Sequence, residues 1–244
     1  MDSGSRQEVS PIMKVAGMMR LAEIDQSKVT KYMMKLSIKS LSDKVSCIYF
    51  LQIGKIDADI IDFILELGKP IKITKQNKDY ESGWNFKNNE SLDDLYKTVD
   101  EGFDWILYPD ADDILPDNIL QLCKEADLKG KNTIRLHFIE CFGSENDIIE
   151  IKEGFPIGPH FKAVKQLKGL TFINSDGFNE AKGLLNRYET RYCIRHLRYA
   201  DKLGIEKRKE MNYFQPYFLE NHKTKKYKPN QTVDYYYGQS SIII

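Results

Sequence analysis

Apolar positions along this chain follow two rhythms, and the rhythms take turns. The run from Ile12 to Leu21, with Val15, Met18 and Met19, is nearly unbroken and predicts a buried strand. From Asp25 to Leu41 the apolar residues Val29, Met33, Leu36 and Leu41 fall on one side of a helix. Val45 to Ile53 is β-branched and aromatic almost throughout, which predicts a strand covered on both faces, as in a parallel sheet. A helix from Ala58 to Leu67 follows, stopped by Gly68 and Pro70, and then a short strand at Ile71–Thr74. Lys75–Asn89 is polar and loop-like, Leu92–Glu101 is helical and closes at Gly102, and Trp105–Tyr108 is again a strand. Strand and helix thus alternate over short connections, which predicts an α/β fold with a mainly parallel, helix-flanked, Rossmann-like sheet. Such sheets bind ligands beyond the carboxyl ends of their strands, where Gln52, Gly54, Asp57, Asp110 and Asp112 fall.

The pattern is less regular afterwards. Asn118–Leu128 predicts a helix, Thr133–Glu140 a strand, and Gly143–Asp147 a hairpin. Residues 154–183 are rich in Gly and Asn, with short strands near Phe161–Val164 and Leu170–Ile173. A basic helical stretch from Asp201 to Asn221, kinked at Pro216, is the last element the pattern orders. The organisation expected is a disordered leader (1–11), one domain with halves at 12–117 and 118–222, and a basic, Tyr-rich tail (223–244). The pattern leaves open whether that tail packs on the domain or on a partner.

Composition narrows the class. With 41% hydrophobic and 30% charged residues the chain is globular rather than disordered. No apolar run reaches bilayer length, and Cys47, Cys123, Cys141 and Cys193 form no C-x-x-C pair. A cytoplasmic protein with reduced thiols and no zinc site is expected. Formal charge is zero, yet Arg187–Lys228 holds 12 Lys/Arg against 5 Asp/Glu. That segment either faces an anion or forms a solvated helix face.

The most specific chemistry lies where the Trp105–Tyr108 strand runs into Pro109-Asp110-Ala111-Asp112-Asp113. Carboxylates at a strand end offer hard oxygen ligands to Mg²⁺ or Mn²⁺, and through the ion to a diphosphate. The competing role for Asp113 or Asp117 is to cap the next helix.

In element order the chain resembles the GT-A glycosyltransferases of the large family-2-like group, over roughly Ile12 to Phe214. Residues 105–113 are similar to that family's "W-I-L-x-L-D-A-D-E/D" strand. The resemblance implies a nucleotide-binding first half and an acceptor-side second half. It implies Asp112 as direct metal ligand, Asp110 near the metal and the donor ribose, and Asp113 shaping the sugar site. Gly54 and Asp57 match the nucleotide turn, with Gln52 where the base-contacting Asp usually stands. Arg20 and Glu23 match an "R-N-E" signature, and Trp84-Asn85-Phe86 a further segment. Gly158–Ala163, Gly169–Phe172 and Asn179-Glu180 resemble the acceptor run, which implies Glu180 as catalytic base and Asp176 as its substitute. Ile194–Tyr199 resembles the late segment whose His completes the metal shell. His196 is therefore the third ligand candidate, Arg195 and Arg198 are diphosphate contacts, and a satisfied core histidine is the alternative. The expected partners are a nucleotide-sugar donor, a UDP-sugar first, and a hydroxyl acceptor that is either a saccharide or a hydroxymethylated DNA base. The rival classes are a non-catalytic binding module on the same scaffold and, more weakly, a nucleotidyltransferase lacking a Gly-rich phosphate loop.

Overall fold

Four parallel strands build the amino-terminal half in the order β3-β2-β1-β4: β1 (Val15–Ala22), β2 (Cys47–Ile53), β3 (Ile71–Gln76) and β4 (Trp105–Leu107). The computed structural model describes residues 12–22, 29–76, 87–149, 159–175, 178–182, 186–203, 205–206 and 223–237. Successive β1 residues enter two different apolar clusters. Met19 and Leu21 pack with helices α1 (Lys31–Ser42), α2 (Ala58–Leu65) and α4 (Ile119–Leu128), while Ala16 and Met18 pack with α3 (Lys87–Tyr96). Burial on both faces is the reason β1, β2 and β4 read as nearly unbroken apolar runs, while the edge strand β3 carries exposed lysines. Thr30 caps α1 by accepting from Met33 N, and Asp57 caps α2 by accepting from Asp59 N.

The second half is mixed. β8 (Pro159–Lys165) runs antiparallel between β4 and β6 (Thr133–Phe142). β11 (Arg187–Tyr199) lies parallel to β6, and the two-residue β5 (Asp113–Ile114) pairs antiparallel with β11. β7 (Asp147–Ile149) and β12 (Thr224–Lys226) extend the sheet beyond β6. β9 (Thr171–Ser175) and β10 (Phe178–Lys182) form a separate hairpin, and α5 spans Val233–Tyr237. The α/β class and the helix-flanked parallel sheet expected from the alternation are present. Among the described residues no helix is long and apolar enough to cross a membrane.

Several boundaries differ from expectation. α3 starts at Lys87 and stops at Tyr96 rather than running from Leu92 to Glu101. Thr98 Oγ1 donates to the Leu95 carbonyl at 2.7 Å, which takes up an acceptor the helix would use to continue. Along the thirteen-residue β11 the polar residues Arg187, Glu189, Arg191 and Arg195 alternate with Tyr188, Tyr192 and Ile194, but Thr190, His196 and Arg198 break the apolar side, so the alternation is weak. The basic helix expected at 201–221 falls mostly outside the described residues, as does the leader 1–11. It is not the last ordered element. The tail packs on the domain: Val233 and Tyr236 are buried in the main core, and Arg191 holds Asp234 in a two-pronged ion pair.

Candidate functional site

β4 ends at Leu107, and the chain turns sharply at the carboxyl edge of the parallel strands. Asp113 N donates to the Asp110 carbonyl at 3.1 Å, and the Asp113 side chain accepts from Asp110 N at 3.0 Å. Ser37, on the buried face of α1, places its hydroxyl 2.8 Å and 2.7 Å from the carbonyl oxygens of Asp110 and Asp113. The turn is thus fixed from beneath by a helix, while β5 ties its far end to β11. In that ladder Asp113 lies opposite His196, and Leu197 N donates to the Asp112 carbonyl at 2.7 Å.

This backbone pairing brings His196 to Asp112 across 84 residues. His196 Nε2 lies 3.1 Å from Asp112 Oδ2, and its Nδ1 lies 3.0 Å from Glu140 Oε1. Phe138 stacks on the His196 ring, and His160 stacks on Phe138 from the other side.

A lysine occupies the middle of the acidic turn. Lys162 forms ion pairs with Asp110 and with Asp113, the latter at 2.9 Å. The register of β8 explains its reach. Ile134 pairs with Ala163 but Arg135 pairs with Phe161, so Lys162 is the extra residue of a β-bulge. Bulges re-aim side chains, and this one directs an ammonium toward the strand end of β4. Burial alone would lower the Lys162 pKa, but Asp110 and Asp113 outweigh it and raise the group above its ordinary value. Burial pushes Asp113 up to about 6 against the pull of Lys162. At Asp110 burial works upward too, yet Lys162 and Arg20 prevail and hold the carboxyl below its usual value. Arg20 approaches Asp110 to 3.6 Å and donates to Ser91 Oγ at 3.1 Å.

The donor set fits a divalent cation. Asp112, Asp113 and His196 each offer one ligand atom, all within 4.8 Å of one another. Asp113 Oδ1 is buried and has no hydrogen-bond partner among the described residues. Two carboxylate oxygens and an imidazole nitrogen suit Mn²⁺ better than Mg²⁺. Asp110 sits differently from the ligand role expected of it, since its carboxylate is engaged by Lys162 and Arg20.

Other expected residues are placed as follows. Gly54 adopts a positive φ of 73°, and Gln52 donates to its carbonyl at 3.1 Å. Asp57 pairs with Lys31 at 2.7 Å besides capping α2. Arg195 is not with the cluster. Side chains alternate along a strand, so with His196 turned inward Arg195 points to the opposite face. There its guanidinium lies over Tyr227 at 4.0 Å and donates to the Glu145 carbonyl. Arg198 lies on β11, and Glu180 lies on β10 opposite Ile173. Glu23, Asp176, the Trp84–Phe86 segment and Gly158 lie outside the described residues. Lys162, Glu140 and Ser37 were not singled out as site residues by the sequence. Each is a polar residue among apolar neighbours on a buried strand or helix face, and that was the available signal.

No protein-family model and no curated protein matches the chain. Among solved structures it is similar to TarS of S. aureus, at 14% identity and a TM-score of 0.39 over 52% of this chain. The chain spans 22% of that TarS chain. It is also similar to TarS 1–349 in complex with UDP, at 12% identity and a TM-score of 0.40, covering 54% of this chain and 37% of the other. A third similarity is to a 4-diphosphocytidyl-2C-methyl-D-erythritol synthase from Anaerococcus prevotii, at 11% identity and a TM-score of 0.40, covering 63% and 72%. The functional reading rests on the geometry of the site.

Proposed function

We propose that this chain is a metal-dependent glycosyltransferase of GT-A type, moving a sugar from a UDP-sugar to a hydroxyl acceptor with inversion. The observation that carries it is the convergence of Asp112, His196 and the unpartnered Asp113 Oδ1 at the carboxyl edge of the parallel strands. These three would hold a Mn²⁺ or Mg²⁺ ion. When bound, the ion supplies positive charge to a diphosphate as its bond to the anomeric carbon breaks. Lys162 and Arg20 keep Asp110 ionised and in place at the rim, where its exposed side can meet the donor ribose. Arg198 is a candidate diphosphate contact. Glu180 is the proposed base, taking the acceptor proton as that oxygen attacks the anomeric carbon.

A saccharide is the favoured acceptor. The described cations of the 187–228 segment are largely engaged within the fold: Arg191 with Asp234, Lys226 with Asp147, Arg195 with Tyr227 and the 145–146 turn. That leaves less of the local charge excess for a polyanion.

The test is Mn²⁺-dependent release of UDP from a panel of UDP-sugars, followed by mass spectrometry of products with saccharide and hydroxymethylated-DNA acceptors. Asp112→Ala should abolish release, and Glu180→Gln should abolish transfer. Full activity in Asp112→Ala, or no release from any donor, would sink the proposal. Product on DNA alone would overturn the acceptor assignment.

A further inference from the structure

Glu140 has no part in the chemistry above, yet it is aimed at the centre of the site. It stands on β6 directly opposite His196 of the parallel neighbour β11, between the buried residues Ile139 and Cys141. Its side chain is only 15% exposed, and Oε1 lies 3.0 Å from His196 Nδ1. An ionised carboxylate in such a position is costly unless it accepts a hydrogen bond, and the imidazole N–H is the donor that faces it.

We infer that Glu140 is a positioning residue that holds the His196 ring in the Nδ1–H tautomer, so that the Nε2 lone pair faces the cation. The inference rests on the metal-site reading above. With Nδ1–H donated to Glu140, Nε2 becomes an acceptor only 3.1 Å from Asp112 Oδ2. Two acceptors at that distance repel unless positive charge is shared between them, and a divalent ion held by Asp112, Asp113 and His196 would supply it. Phe138 stacked on the ring 4.9 Å away restricts its tilt. Glu140, His196 and Asp112 thus form a chain in which the outer carboxylate orients the ring and the inner one shares its ligand. Outer partners of this kind typically change metal affinity about 10–100-fold when removed.

The experiment is Mn²⁺ binding to the full chain, read from the electron paramagnetic resonance of free ion, for wild type, Glu140→Ala, Glu140→Gln and Asp112→Asn. Glu140→Ala should weaken binding about tenfold or more. Glu140→Gln, whose amide oxygen still accepts from Nδ1–H, should stay within about fivefold of wild type. Binding by Glu140→Ala within twofold of wild type, or by Glu140→Gln as weak as by Glu140→Ala, would overturn the inference. If Asp112→Asn binds as wild type does, the metal-site reading fails and takes this inference with it. A Glu140 failure with Asp112→Asn still defective leaves the metal site standing. A second measurement needs only the wild-type fold. Nitrogen-15 spectra of the Zn²⁺-loaded protein at pH 8, assigned by loss of the His196 signal in His196→Asn, should show the Nδ1–H tautomer. An Nε2–H or doubly protonated ring would overturn the assignment.

Discussion

The Lys162 ammonium stands 2.9 Å from the Asp113 carboxylate, and neither side chain is more than 4% exposed. A buried pair of this kind holds a turn in one shape, since each charge needs the other. Lys162→Met should therefore cost about 3 kcal/mol or more, because it strands Asp113 without its cation. Urea denaturation measures the loss. Adding Asp113→Asn to Lys162→Met should recover part of it, whereas additive losses would show that the pair is not coupled.

Arg195 and His196 are neighbours in sequence but occupy opposite faces of β11. His196→Asn should lower Mn²⁺-dependent donor turnover about 10²-fold, the scale of losing one group that serves developing charge. Arg195→Gln should leave turnover within about twofold and lower stability by about 1 kcal/mol through the lost contacts with Tyr227 and the Glu145 carbonyl. A turnover defect in Arg195→Gln as large as that in His196→Asn would restore the arginine to the site.

Gly17 lies in β1 against Leu41 of α1. A Cβ there would sit 2.9 Å from the buried Leu41 side chain. Gly17→Ala should destabilise the fold by about 1–3 kcal/mol, with a lowered melting temperature as the readout. Gly17→Ala combined with Leu41→Val should melt higher than Gly17→Ala alone if that contact is the cause.

His137, buried on β6, gives the fold an acid-sensitive point away from the candidate metal site. Burial depresses its pKa to about 4 from an ordinary 6.5; Arg191 and Arg135 act in the same direction, while Asp234 and a Thr190 backbone hydrogen bond oppose them. A depressed folded pKa means the unfolded chain takes the proton first. Stability is complete above about pH 6.5 and falls between there and about pH 4, by at most roughly 3 kcal/mol. Asp234, held below its usual value by Arg191, contributes its own loss only at more acid pH. In His137→Phe the slope of stability between pH 6.5 and 4 should flatten, as chemical denaturation at several pH values would show. An unchanged slope would place the sensitivity elsewhere.

The parallel half and its acidic edge were legible in the chain because their causes are local. Strands buried on both faces must be apolar along nearly their whole length, and β1, β2 and β4 are, with Arg20 and Gln52 polar only near the carboxyl ends. Carboxylates just past the end of such a strand must lie at the ligand-binding edge, so Asp110 and Asp112 could be placed from their neighbours alone. β11 escaped notice because its many charged residues find partners only after folding. Arg191 meets Asp234 of the tail, and Arg195 meets Tyr227.

Which atoms meet at that edge was decided by tertiary structure. A one-residue bulge in β8 turns Lys162 onto Asp110 and Asp113, and the parallel pairing of β6 with β11 sets Glu140 beside His196. Residues 49 to 84 apart in the chain carry no local signal of each other. Sequence by itself determined the parallel strands of the first half, the presence of their covering helices and the rim of carboxylates, through the period of apolar burial. The roles within that rim, Asp112 with His196 and Asp110 with Lys162, follow from strand register, because a shift of one residue exchanges the two faces of a strand.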